Sequence, residues 1–113
     1  MSEVTLTVYD AGRPWILRVV PQGGRYGLDD CLTWDDPSPL VEFYDARGIG
    51  RFGPRGQFVS RYRLAELVDH EGGLLLYGGV PEWSVSAETV SIAVGLARNV
   101  VEGLEAGLEV ADV

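Results

Sequence analysis

Lysine is absent: all nine basic residues, at positions 13, 18, 25, 47, 51, 55, 61, 63 and 98, are arginine. A Walker A loop needs its lysine at the β- and γ-phosphates, and Schiff-base or pyridoxal chemistry needs an amine nucleophile, so both are excluded. Cys31 is the single cysteine and His70 the single histidine. One thiol cannot close an intramolecular disulfide or a CxxC motif, and with one imidazole it cannot make a Cys/His zinc site. No metal and no cofactor is therefore expected. Long apolar runs are missing too. The longest, around Gly73 to Val80, fall far short of the roughly 20 residues that cross a bilayer. The opening MSEVTLTVYD has neither a basic n-region nor an apolar h-region. A cytoplasmic protein with no membrane partner is the expectation.

What is present is a globular composition, 46% apolar and 23% charged over 113 residues. That predicts a single domain over residues 1–113 with roughly the last eight residues frayed. Val4, Leu6 and Val8 alternate with Thr5, Thr7 and Tyr9, turn residues follow at Asp10 to Pro14, and Trp15 to Val20 is again rich in strand formers. This reads as a hairpin. Residues 25–39 read as a long loop, with a short strand or turn around Cys31 to Trp34, and Leu40 to Tyr44 as a third strand. Residues 46–57 hold four glycines and a proline, so little regular structure is expected there.

From Gln57 the apolar positions Phe58, Tyr62, Ala65 and Val68 recur at helical spacing, which predicts a helix to about Asp69. A strand from Gln57 to Tyr62 competes with it. Leu74 to Tyr77 reads as a short strand. Ser86 is a fitting N-cap, Glu88 lies in the first turn, and Val90, Ala93, Val94, Ala97, Val100, Val101 and Leu104 form one stripe of a terminal helix. Gly103 is placed to end it, and Gly95 inside it points to close packing against a neighbour. The expected fold is α+β: a small antiparallel or mixed sheet of three to five strands with two helices packed on one face.

Gly48-Ile-Gly50-Arg-Phe-Gly53 is a literal GxGxxG, but Pro54-Arg55-Gly56 follows where a dinucleotide site needs a helix to begin. The arginines around it matter more. Arg47, Arg51, Arg55, Arg61 and Arg63 are interleaved with Phe52, Phe58 and Tyr62, pairing guanidinium groups for phosphates with aromatic faces for bases. Arg47, Arg51 and Arg55 are the anion-binding candidates, for nucleic acid or a phospholigand. Against this, the chain carries a net charge of -8 and repels a polyanion at long range. These arginines can instead pair with Asp45, Glu66 and Asp69.

Residues 70–113 hold seven acids against Arg98 alone. Such a surface can bind a basic protein partner or imitate the phosphate spacing of DNA. Glu82, Glu102 and Glu105, with Trp83 presented by the Gly78 to Ser84 segment, are the partner-binding candidates. Asp29, Asp30, Asp35 and Asp36 in the long loop would serve a small hydrolase, and Cys31 with His70 a nucleophile and base, but neither set forms a motif. No catalytic residue is therefore assigned.

GQFVSRYRLAELV followed by GLLLYGGVPEWSVSAE resembles small uncharacterised acidic proteins of bacterial plasmids, integrated elements and phages, over about residues 40 to 90. The resemblance implies a context in which anti-CRISPR and anti-restriction inhibitors, some of them DNA mimics, occur. The leading expectation is thus a non-enzymatic binding protein whose acidic C-terminal half meets a protein partner. Nucleic-acid or phospholigand binding through residues 47–63 is the alternative, and a hydrolase on residues 29–36 the third. An uncovered apolar stripe on the terminal helix would add a homodimer.

Overall fold

The computed structural model describes residues 3–10, 12–27, 33–73, 75–77 and 80–105, with backbone alone at 27, 75–77, 80–83 and 104–105. Strands β1 (Val4–Asp10) and β2 (Arg13–Val20) form the expected hairpin, in unbroken antiparallel register from Val4 opposite Val19 to Asp10 opposite Arg13. The next segment is more ordered than its punctuation suggested: β3 (Gly24–Gly27) and β4 (Thr33–Asp36) pair as a small hairpin of their own. β5 (Leu40–Asp45) then returns beside β2, and a single 3-10 turn (Ala46–Gly48) opens the glycine-rich connection.

Gln57 begins a strand, not a helix. β6 (Gln57–Arg63) pairs with β5, and only a short helix α1 (Leu64–Val68) follows. Strand β8 (Val80–Val85) follows and pairs with β7 (Leu75–Tyr77). Helix α2 (Ala87–Glu105) runs through Gly103 without stopping. The main sheet has the order β1-β2-β5-β6, all antiparallel.

Strand alternation decides which face is buried. Val8 on β1, Trp15, Leu17 and Val19 on β2, and Val41 and Phe43 on β5 point to one side. There they meet Leu67 of α1 and Val90, Ala93, Val94 and Ala97 of α2 in a single core. Trp15 stands edge-to-face on Phe43, and Phe43 on Tyr62, at centroid distances of 6.4 and 6.3 Å. Both helices therefore cover the same face, as expected.

The start of α2 follows the capping logic of its sequence. The Ser86 hydroxyl accepts from the Thr89 amide at 3.2 Å, and the Asp10 carboxylate accepts from the Ser86 amide at 2.7 Å, tying the helix entrance to the end of β1. Val85 and Val90, on either side of the cap, are both fully buried.

Gly95 corrects an expectation. It lies on the exposed side of α2, and a Cβ there would meet nothing within 4 Å. Its cost is thus one of helix propensity alone. Gly95→Ala is expected to stabilise the protein by about 1 kcal/mol in urea unfolding, where close packing would instead have made the substitution destabilising.

Candidate functional site

The sheet's other face is not covered by a helix. It carries Ile16, Arg18 and Val20 from β2, Leu40, Glu42 and Tyr44 from β5, and Phe58, Arg61 and Arg63 from β6, which lie opposite one another in register. One irregularity shapes this face. The register advances by one residue from Phe43 to Tyr44 but by two from Ser60 to Phe58, leaving Val59 as the extra residue of a β-bulge. In an unbroken strand Phe58 and Arg61, three apart, would point to opposite faces. The bulge brings them together, with the Arg61 guanidinium 5.1 Å from the Phe58 ring centre.

Glu42 organises the centre. Its side chain is only 3% exposed and accepts from Arg18 Nη1, Arg61 Nε and the Tyr44 hydroxyl, each at 2.7 Å. Burial alone would raise the Glu42 pKa, but the hydrogen bonds from Tyr44, Arg18 and Arg61 outweigh it and hold the carboxyl below its ordinary value. Arg18 also reaches Glu3, whose hydrogen bond is the largest influence driving the Arg18 pKa further upward. Arg55 lies 3.4 Å from Glu3 and stacks over Tyr44, and Tyr44 meets Phe58 edge-to-face at 5.5 Å. These contacts close a ring: Arg18, Glu42, Arg61, Phe58, Tyr44, Arg55, Glu3 and back to Arg18.

The β3/β4 hairpin borders this ring. Arg63 Nε donates to Asp36 at 2.6 Å, its guanidinium lies 4.5 Å from the Tyr26 ring centre, and the Tyr26 hydroxyl donates to Glu66 at 2.5 Å. Burial, then Glu66, pushes the Tyr26 phenol up to about 12, so it stays a donor at neutral pH. The Ser38 amide and then Arg63 hold the Asp36 carboxyl below its ordinary value. Thus anchored, the hairpin and the open face border a half-open cavity of about 240 Å³. Arg18, Arg25, Arg61 and Glu42 line it, with Val20 and Leu40 as apolar wall and Gly23 and Gly24 at the rim. Arg25, which donates to Thr33 and lies 3.8 Å from Asp35, is largely exposed. Three arginines and one carboxylate line the cavity, and the further acids paired with Arg18 and Arg25, Glu3 and Asp35, stand outside the lining.

The arginines singled out from sequence do not gather into one patch. Arg47 is bidentate on the buried Asp45, whose pKa Arg47 lowers, while Arg55 is tied to Glu3 and Tyr44. Arg51 sits at the exposed loop tip over the Phe52 ring at 5.5 Å. Arg61 and Arg63, assigned to a helix, lie on β6 and face the site. The glycine motif leads through turns into β6, so no helix N-terminus meets it.

Of the acidic candidates, Glu102 is exposed on α2. The side chains of Glu82, Trp83 and Glu105, and Asp29, Asp30 and Cys31 entirely, lie outside the described residues. Asp35 is exposed, Asp36 is consumed by Arg63, and His70 packs its ring on Tyr62 at 5.8 Å. Among the described residues no group of three His, Cys, Asp or Glu side chains could hold a metal ion, and no helix is long and apolar enough to cross a membrane.

Sequence reasoning passed over Arg18, Arg25, Glu42 and Tyr44. The signal was there for Glu42: a lone acid inside the apolar run LVEFY must find cations if it is buried. The chain matches no protein-family model and no solved structure.

Proposed function

We propose that the protein is a binding protein for a small phosphate-bearing ligand, held on the open face of the sheet. The observation that carries this reading is the cavity lined by Arg18, Arg25 and Arg61. Guanidinium groups present planar forks of donors that match phosphate oxygens. Glu42 occupies Arg61 only through Nε, which leaves its terminal nitrogens for a ligand. About 240 Å³ suits a compact phosphate ester; drug-sized and cofactor pockets run from about 300 Å³ upward. Net charge supports a small ligand as well, because a chain at -8 repels a polyanion over its whole length. A cytosolic setting, expected from the sequence, is consistent with such a ligand.

The test is a thermal-shift series with pyrophosphate, a nucleoside monophosphate, citrate and a 12-nucleotide single strand. Phosphate compounds are expected to raise the midpoint saturably, and Arg61→Ala is expected to weaken binding at least about tenfold, the loss of one charge-assisted hydrogen bond. Equal shifts from citrate, or shifts unchanged in Arg61→Ala, would count against the assignment.

One observation favours a second reading. Arg51 on Phe52, Arg55 on Tyr44 and Arg61 on Phe58 form three cation–aromatic stacks of the kind that hold single-stranded nucleic acid. In that case the oligonucleotide alone gives the shift, with a steep salt dependence. A protein partner on the acidic C-terminal half, favoured by charge, is supported among the described side chains by the exposed Glu71, Glu88 and Glu102, of which Glu102 is a named candidate.

A further inference from the structure

β1 is an end strand of the main sheet, and no described strand pairs with its outer edge. Such an edge presents a row of free amides and carbonyls, and monomeric proteins usually protect it with lysine, proline or a bulge. β1 has none of these: its sequence is VTLTVYD and its register on β2 is unbroken. It is also uncharged from Val4 to Tyr9, and the acids at its ends are already engaged, Glu3 with Arg18 and Arg55, Asp10 with the Ser86 amide.

Apolar surface accompanies this edge. Leu6 points to the helix-covered face, opposite the fully buried Leu17, yet is 40% exposed, and Tyr9 is 73% exposed. On α2, Arg98 pairs with Glu71 just beyond α1, which marks the side of the helix towards β6. At 100° per residue, Leu96, half-buried, falls on the other side, towards β1, whereas Ile92 lies on the helix's outer face, away from the sheet. Backbone donors, an uncharged strand and an apolar flank from both layers thus coincide.

We infer that two copies of this chain pair antiparallel through β1, making one continuous sheet with both α2 helices on the same side. A two-fold axis normal to the sheet requires facing residues to share a face. Centring it on Leu6 sets Leu6 against Leu6 of the second copy, Val4 against Val8 and Thr5 against Thr7, so every residue from Val4 to Val8 meets its own chemical kind. Centring on Thr7 would instead press the Asp10 carboxylate, which caps α2, against Val4. The Leu6 register therefore wins. The occupant is a second copy because the strand is its own complement in that register, with no like charges opposed although each chain carries -8.

Analytical ultracentrifugation over 1–200 µM tests it. The wild type is expected at twice the 12.3 kDa chain mass, Leu6→Lys at the monomer mass with unchanged circular dichroism, and Ile92→Lys, away from the edge, at the dimer mass. In a Cys31→Ser background, Leu6→Cys is expected to form a disulfide-linked dimer on mild oxidation, since Cα atoms facing across an antiparallel pair are roughly 4.5–5.5 Å apart. Thr7→Cys is not. A monomeric wild type, a dimer indifferent to Leu6→Lys, or cross-linking equal at Thr7 overturns the proposal.

Discussion

Glu42→Ala is expected to lower stability by about 3 kcal/mol, and the melting temperature by roughly 15 °C for a domain of this size. Glu42 is the shared acceptor of Arg18, Arg61 and Tyr44. Removing it leaves two guanidinium groups close together without their common counter-charge and a hydroxyl without its acceptor. Loss of one partner from a buried pair costs about 3–5 kcal/mol. Because Arg18 and Arg61 keep part of their surface in water, the lower end applies.

The same site predicts a pH dependence. The carboxyl groups of Glu42, Asp36, Asp45 and Glu3 all have lowered pKa values in the folded protein. Each binds protons less readily folded than unfolded, so the stability it contributes is complete above the unfolded pKa and is lost as pH falls through the folded one. The midpoint should begin to drop near 4.5, the ordinary glutamate value, and continue downward. Glu42→Gln, neutral at every pH, should flatten that slope. A slope unchanged in Glu42→Gln would show that the buried carboxylate is not the linked group.

Gly23→Ala is expected to cost a similar amount, about 3 kcal/mol or more, for a different reason. Gly23 turns the chain from β2 into β3, its amide donating to the Val20 carbonyl at 3.1 Å, with φ at +76°. A side chain in that left-handed region costs about 1–2 kcal/mol by itself. A Cβ there would also lie 1.9 Å from the Asp36 carbonyl oxygen and 2.7 Å from that of Ser38, and backbone cannot swing aside as a side chain can. The turn and β4 must then separate, which opens the rim of the cavity. Gly12→Ala is the matched control: φ is +85° but nothing lies within 4 Å of a Cβ, so only the conformational cost of about 1–2 kcal/mol is expected. Equal losses in chemical unfolding would remove the steric part of the explanation.

The elements written in period were legible in the sequence. The β1/β2 alternation and the α2 stripe, with Ser86 at its cap, emerged where they were expected, because each pattern reports one buried face. Residues 57–69 misled for a physical reason. Phe58 and Tyr62, four apart, fit one helix face, yet the Val59 bulge sends them to opposite faces of the sheet, and a bulge leaves no mark in residue types. The candidate site was hidden by the same irregularity and by topology, since Arg18, Arg25, Glu42 and Arg61 come from four strands that only pairing brings together. Arginine count drew attention to residues 47–55, where the nearest acids, Asp45 and Glu3, hold two of the three candidates.

The central claim, that the cavity is built for a phosphate-bearing anion, is tested most directly by the arginine Nε–H resonances in a 15N-labelled sample titrated with pyrophosphate at constant ionic strength. Saturable shifts confined to Arg18, Arg25 and Arg61, with Arg47 and Arg98 unmoved, are the predicted result. Shifts that are absent, or that sodium chloride reproduces equally at all nine arginines, would contradict it.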